Sequence, residues 1–326
     1  MTRYIIRRLL YLIPLFLGIL IIVFAATRVA GDPVRLMTAM NPHITEQARN
    51  NLTAYYGLDK PLWHQFLIYL ANLLKGDLGN SYVIRGGIEV TSLIGDYIWP
   101  TMLLQIVSII LALLIAIPVG VISARRKYSK TDVTVTTTSL LGTCIPIFYM
   151  GIIVILIFAY YLGWFPAGGY VTVISESKDY FLGSRTLDII WHMVLPVAVL
   201  TFALLAPIVL LIRSSMLEVL KQDYVLAARA NGLNDRKVVY KHALRNALIP
   251  VVTYVGIYFG AMLAGAPITE TVFNWPGVGR LFVQATNRLD FPVIMGITVI
   301  ITLMTLIANL ITDLTYGYID PRIRVE

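Results

Sequence analysis

The chain has 326 residues, 58% of them hydrophobic and 13% charged, with a mean hydropathy of +0.76 and a formal net charge of +8. A soluble domain is roughly half apolar and about a quarter charged, so this composition excludes a disordered chain, a disulfide scaffold and an ordinary soluble enzyme, and indicates an integral membrane protein. The basic excess falls between apolar runs, which argues for contact with anionic membrane lipid and control of topology, not for nucleic-acid binding.

Arg3, Arg7 and Arg8 precede an apolar run that is free of charge over 9–27. A secretory signal starts in the same way, but its apolar region spans about 7–15 residues. This run is long enough to cross a hydrocarbon core of roughly 30 Å as a helix, so residues 1–30 are expected to hold an uncleaved first span. Residues 31–99 are too many for a turn and are expected to form an extracytoplasmic helical subdomain. Thr45 can cap a short helix over 45–56, with Glu46 favourable in its first turn, and Gly57 ends it. Over 61–74, Leu62, Trp63, Phe66, Leu67, Tyr69 and Leu70 recur at helical spacing.

Charge-free windows place further spans at 101–124, 138–162, 189–212, 246–269 and 291–312, the third closed by Gly163, Pro166, Gly168 and Gly169. The expected fold class is therefore all-α integral membrane with six transmembrane helices, a membrane core over 100–315 and a tail over 316–326. An even number of spans puts both termini on one side. Lys and Arg mark the cytoplasmic side of short loops. Arg125, Arg126, Lys127 and Lys130 share a side with the N-terminal arginines, as do the seven basic residues between Arg213 and Arg245 and the terminal Arg322 and Arg324. The two short loops opposite carry only Lys178, Arg185, Arg280 and Arg288. Both termini are expected to be cytoplasmic, in a multi-pass plasma-membrane protein. Trp63, Tyr69, Trp99, Trp164 and Trp191 fall near span ends, as an interfacial aromatic belt does.

The expected spans contain no Asp, Glu, Lys or Arg, and His192 sits near the end of the fourth. Proton-coupled carriers use intramembrane ionisable groups, so the bundle lacks visible coupling chemistry of its own; a sodium site of backbone carbonyls leaves an ion-coupled carrier or channel as the alternative. Pro118, Pro146, Pro196, Pro207 and Pro267, with Gly256-x-x-x-Gly260, fit close helix packing or a bundle that flexes around a pathway. His43, His64, His192 and His242 lack metal-ligand spacing. No phosphate-cradling Gly-x-x-x-x-Gly-Lys motif occurs, so no catalytic residue, metal or cofactor is assigned to this chain. Cys144 reads as a small buried hydrophobe.

The 213–248 connection is the most informative stretch. Leu217, Leu220, Tyr224 and Ala228 fall at helical spacing, and Ala227 and Ala230 keep that helix slim. Asn231-Gly232 stops it. Asn234 or Asp235 can cap a second helix through Arg236, Val239, His242 and Leu244 towards Pro250. A firmly built helical hairpin suits a partner protein's groove; docking on a lipid surface is the alternative for a basic amphipathic segment.

Ala227-Ala228-x-x-x-Gly232 is similar to the cytoplasmic coupling loop of ATP-binding-cassette importer permeases. Asp223-Tyr224, Ala228-Arg229-Ala230, Gly232-Leu233 and His242-Ala243-Leu244-Arg245 resemble the dipeptide and oligopeptide permease family, first of its two paired subunits. So do Gly31-Asp32-Pro33, Tyr56-Gly57-Leu58-Asp59-Lys60-Pro61, Arg213-Ser214-Ser215-Met216, Trp275-Pro276-Gly277 and Pro321-Arg322-Ile323-Arg324. Leu226 stands where the wider group often has Glu, and Pro250 is displaced, as is usual in the peptide branch. The resemblance implies a paralogous second permease, two ATP-binding subunits that use ATP and magnesium, and an extracytoplasmic substrate-binding protein. It also implies coupling through Asp223, Tyr224, Ala227, Ala228, Arg229, Ala230, Gly232, Leu233, His242 and Arg245. Di- or oligopeptides are the implied cargo, with oligosaccharides or nickel chelates as alternatives.

Overall fold

Backbone groups in a hydrocarbon layer have no water to bond, so long apolar runs must satisfy them internally as helices. The computed structural model describes residues 2–29, 31, 34, 45–172 and 183–319. Asp32, Pro33, His43, Lys178 and 321–324, which entered the sequence reading, lie outside the described residues. Among the described residues, four helices are long and apolar enough to cross a membrane: Leu10–Val29, Val90–Arg125, Arg185–Val219 and Phe291–Ile311. Two bent pairs raise the number to six if each is one span: Lys130–Cys144 with Ile147–Tyr161, and Asp235–Ala247 with Ile249–Ala261.

The bends correct two expectations. The third span is not one helix over 138–162, because the chain turns by 98° between Cys144 and Ile147. Ile145 is extended (φ −81°, ψ 121°), as the residue before a proline tends to be, and Pro146 lacks an N–H to continue the ladder. The fifth bends by 43° at Leu248 and its helix ends at Ala261, followed by a 3₁₀ turn over Met262–Ala264. The other helices outrun their charge-free windows. Val90–Arg125 has 36 residues, which at about 1.5 Å per residue reach about 54 Å, well beyond a roughly 30 Å core. Charged residues excluded from the windows thus lie on these helices, and Asp132 and Asp188 are buried.

The chain divides into two compact units. The first comprises residues 1–101, 263–267 and 277–326. Its short helices, Glu46–Tyr56 and Leu62–Leu74, stand where periodicity placed them. Phe24 of the first helix meets Phe66 edge-on at 5.4 Å and stacks with Tyr69 at 6.0 Å. Tyr69 is therefore half-buried in this unit and not in an exposed belt, whereas Trp63 and Trp99 are exposed. A β-ribbon pairing Asn80–Ser81 with Ile88–Glu89 departs from the all-α expectation. The buried Asp290 carboxylate holds its turn, accepting from Ser81 Oγ (2.7 Å) and the Val83 and Ile84 amides (3.2 and 3.1 Å). Val90, Leu93 and Ile94 pack with Leu281, Val293 and Ile297 as the core.

The second unit comprises 102–262 and 268–276. Ala112, Ala116, Val121 and Ala124 pack against Ile208, Val209, Ile212 and Met216. Gly120 makes this crossing close: a Cβ there would lie 2.8 Å from the Ile212 Cβ and 3.1 Å from the Val209 carbonyl. Asp188 accepts from the Thr172 amide at 2.5 Å, and His192 Nδ1 lies 2.8 Å from the Asp188 carbonyl one turn back. Trp191 Nε1 donates to the Trp164 carbonyl at 3.0 Å. Cys144 is exposed, contrary to expectation; in a chain whose outside is itself apolar, a small hydrophobe faces outward without cost.

Candidate functional site

The helical hairpin between the two long apolar segments is built largely from local rules. The long Arg185–Val219 helix stops before the elbow, and Leu220–Gln222 separate it from an eight-residue helix, Asp223–Ala230. The continuous helix expected through Leu217, Leu220, Tyr224 and Ala228 is thus interrupted. Gln222 is extended (φ −72°, ψ 146°), and Asp223 sets a negative charge in the new first turn. Gly232 (φ +75°) closes the helix. Its amide bonds to Arg229 O at 3.0 Å and the Leu233 amide to Ala228 O at 3.3 Å, the paired bonds of a Schellman stop. Asn234 Oδ1 then accepts from the Arg236 amide at 2.9 Å and opens Asp235–Ala247.

The two faces of the hairpin differ. Val225, Ala228, Val238, Val239, Ala243 and Ala247 are buried against Val121, Ala124, Ile212 and Met216. The opposite face exposes Asp223, Tyr224, Leu226, Ala227, Arg229, Ala230 and Gly232. Leu226 is 49% exposed and Tyr224 42%, beside alanines and a glycine that leave the elbow narrow. Among the described residues, no atom lies within 4 Å of a Cβ built on Gly232. Exposed apolar side chains on a hairpin that also exposes Arg229, Arg236, Lys241 and Arg245 are the kind of surface that meets a protein partner. Leu233 and His242 are half-buried, and Arg245 is exposed. All ten residues singled out from sequence therefore lie on this one element. Ala228 faces the core, so it sets the packing and not the outer surface.

Polar contacts tie the hairpin together. Asn246 Nδ2 donates to the Tyr224 hydroxyl at 2.7 Å, linking its two arms. Asp235 accepts from Arg125 at 2.7 Å and from Arg229 at 3.3 Å. These ion pairs are about half exposed, so each contributes only about 0–1 kcal/mol. A deeper link lies beneath. Asp132, 2% exposed, receives Arg213 Nε at 2.5 Å and Nη2 at 2.9 Å. It also accepts from Ser123 Oγ at 2.6 Å and the Tyr128 amide at 2.9 Å. One carboxylate thus joins Val90–Arg125, Lys130–Cys144 and Arg185–Val219. The bidentate guanidinium and two further donors are what a buried charge needs.

Sequence reasoning missed this carboxylate. The Ser129-x-x-Asp132 spacing signals a helix start, and Asp132 N does donate to Ser129 Oγ at 3.3 Å. Nothing local pairs it with Arg213, 81 residues away. The same holds for Asn246 and Tyr224, and for the second role of Asp235 beyond helix initiation.

Residues 116–325 match the family described as binding-protein-dependent transport system inner membrane component. The chain is 44% identical over 324 residues to an oligopeptide transport system permease protein of Bacillus subtilis, covering 99% of both chains. It is 40% identical over 341 aligned residues to a di/tripeptide transport system permease protein of Pseudomonas aeruginosa, and 39% identical over 339 to a dipeptide transport system permease protein of Escherichia coli; each alignment covers 99% of both chains.

Proposed function

Because the chain belongs to the family of binding-protein-dependent transport system inner membrane components, we propose that it is one permease subunit of an ATP-driven importer of di- and oligopeptides. The observation that carries the cargo is the end-to-end match to proteins named as peptide permeases, at 39–44% identity. The chain is a multi-pass membrane protein, and in this reading its two bent pairs each count as one span. Six spans then put both termini and the helical hairpin in the cytoplasm, as the Lys and Arg distribution favours.

In the same reading the chain pairs with a paralogous second permease, two ATP-binding subunits and an extracytoplasmic binding protein. ATP and magnesium are used in those subunits, and nothing in this chain's sequence cradles a phosphate. The exposed face around Tyr224, Leu226, Ala227, Ala230 and Gly232 is the surface the ATP-binding subunits grip. The buried face passes their movement to the helices through Ile212 and Met216. The alternating-access step itself is rigid-body motion around a central path.

The test is purification of the tagged chain from native membranes in mild detergent, followed by reconstitution with the proteins recovered. The expected result is a second permease, two ATP-binding subunits, and ATP hydrolysis that rises when binding protein and peptide are added. Uptake of an oligosaccharide or a nickel chelate in place of peptide would move the cargo. Transport by the chain alone would replace the reading with an ion-coupled carrier or channel.

A further inference from the structure

The first unit contains a cavity of about 40 Å³ that the transport reading does not use. Roughly 10–15 Å³ accommodates one water, so about three water-sized groups fit. Its lower wall is Phe24 and Arg28, in the last turns of the first apolar helix, and Met295 near the start of the last. Its upper wall is Tyr56, Gln65, Tyr69 and Asp77. The cavity therefore sits where two apolar helices end, which in the membrane-spanning reading is the level of lipid headgroups.

Among the described residues, three oxygens in its wall are sequestered from solvent yet lack a partner. Gln65 is 6% exposed; its Nε2 donates to Lys60 O at 2.8 Å and its Oε1 accepts from nothing. The hydroxyls of Tyr56 and Tyr69 are likewise unpartnered. Burial pushes the Tyr69 phenol up to about 12 and raises Tyr56 as well, so both stay neutral. Gln65 Oε1 can only accept, which calls for a ligand with N–H or O–H donors. The walls also carry both signs of charge. Arg28 lies over the Phe24 ring, 4.9 Å from its centroid. Asp77 is held by the Tyr55 hydroxyl at 2.7 Å and the Gly79 amide at 2.8 Å.

We propose that the cavity holds the ammonioethyl end of a phosphatidylethanolamine headgroup, its ammonium donating to Gln65 Oε1 and the Tyr56 and Tyr69 oxygens, with Arg28 towards its phosphate. Nitrogen and two carbons match the three water-sized places. The aromatic walls favour a cation. A trimethylated choline head lacks the N–H donors that the unpartnered oxygens require, and a glycerol head brings O–H donors but no cation for the aromatic walls.

The site depends on the membrane-spanning reading and not on the cargo. The full chain, with whatever partners co-purify, is placed in nanodiscs of equal phosphatidylethanolamine, phosphatidylcholine and phosphatidylglycerol. After extraction and washing, retained lipid is quantified by mass spectrometry. Phosphatidylethanolamine is expected to remain at about one per chain, and Tyr56→Phe with Tyr69→Phe is expected to cut its retention about tenfold at unchanged Tm. Gln65→Leu, of similar volume, is the second variant and gives the same loss. Equal retention of the three lipids, preference for phosphatidylglycerol, or undiminished phosphatidylethanolamine in the variants overturns the proposal. Peptide uptake is not read in this experiment, so its failure leaves the transport reading where it stands.

Discussion

Replacing Asp132 by Asn tests whether one carboxylate joins three helices. The substitution keeps shape but sets an amide donor against the Arg213 guanidinium, which now reaches it through Nε and Nη2 at 2.5 and 2.9 Å. Breaking a fully buried pair from one side costs about 3–5 kcal/mol. The Arg213 side chain keeps 21% exposure, so water recovers part of its solvation and the expected loss is about 2–3 kcal/mol. For a helical core of this size, that is a fall in Tm of about 5–10 °C, read by intrinsic fluorescence on the purified chain in detergent. Ser123→Ala removes one hydrogen bond to the charged carboxylate and costs about 1.5–3 kcal/mol. Asp132→Leu with Arg213→Met removes both charges and is expected to recover most of the loss. A change below about 1 °C for Asp132→Asn, or a double variant no better than the single, would refute the account.

Gly232→Trp costs about 1–2 kcal/mol of backbone strain, because the turn is left-handed and among the described residues no atom lies within 4 Å of the added Cβ. Normal abundance with loss of ATP-driven uptake is the expected outcome, Gly232→Asn keeps uptake, and normal uptake by the Trp variant defeats the gripped-elbow reading. Gly120→Ala forces its Cβ to 2.8 Å from the Ile212 Cβ and 3.1 Å from the Val209 carbonyl and is expected to lower stability by about 1–3 kcal/mol, read as a fall in Tm; an unchanged Tm would mean that the two helices part there without cost. Asp290→Ala strips the β-ribbon turn of the acceptor for Ser81, Val83 and Ile84. Faster proteolysis within 80–89 is expected there, and unchanged cleavage counts against the anchor.

How far the sequence carries depends on the distance over which each feature is decided. The apolar helices were legible because their charge-free windows report directly on local solvation. The break at Pro146 was not, since Pro196 and Pro207 lie inside a continuous helix of 35 residues. A proline in an apolar run therefore settles nothing alone; whether neighbours re-satisfy the freed carbonyl does. The elbow at Gly232 and the Asn234 cap were legible because both are bonds between near neighbours. The interruption at Leu220–Gln222 was not, because apolar spacing continues across it. Asp132 with Arg213, and Asp290 with the β-ribbon, pair residues far apart in the chain, and a single sequence carries no sign of such pairs.

The hairpin can transmit force only if its two arms move together, and the Asn246 bond to the Tyr224 hydroxyl is the polar tie between them at their open end. At the elbow they are already joined by the turn, and along their inner faces by Val225, Val238 and Val239. Tyr224→Phe removes the tie and leaves the ring. Being exposed, that bond contributes about 1 kcal/mol or less, so abundance and Tm are expected to stay unchanged. In the reconstituted importer, however, the first arm could then yield under load without the second. The expected result is ATP hydrolysis near its normal rate with less peptide taken up per ATP. An unchanged ratio would mean that apolar packing alone carries the movement and that the tie is dispensable.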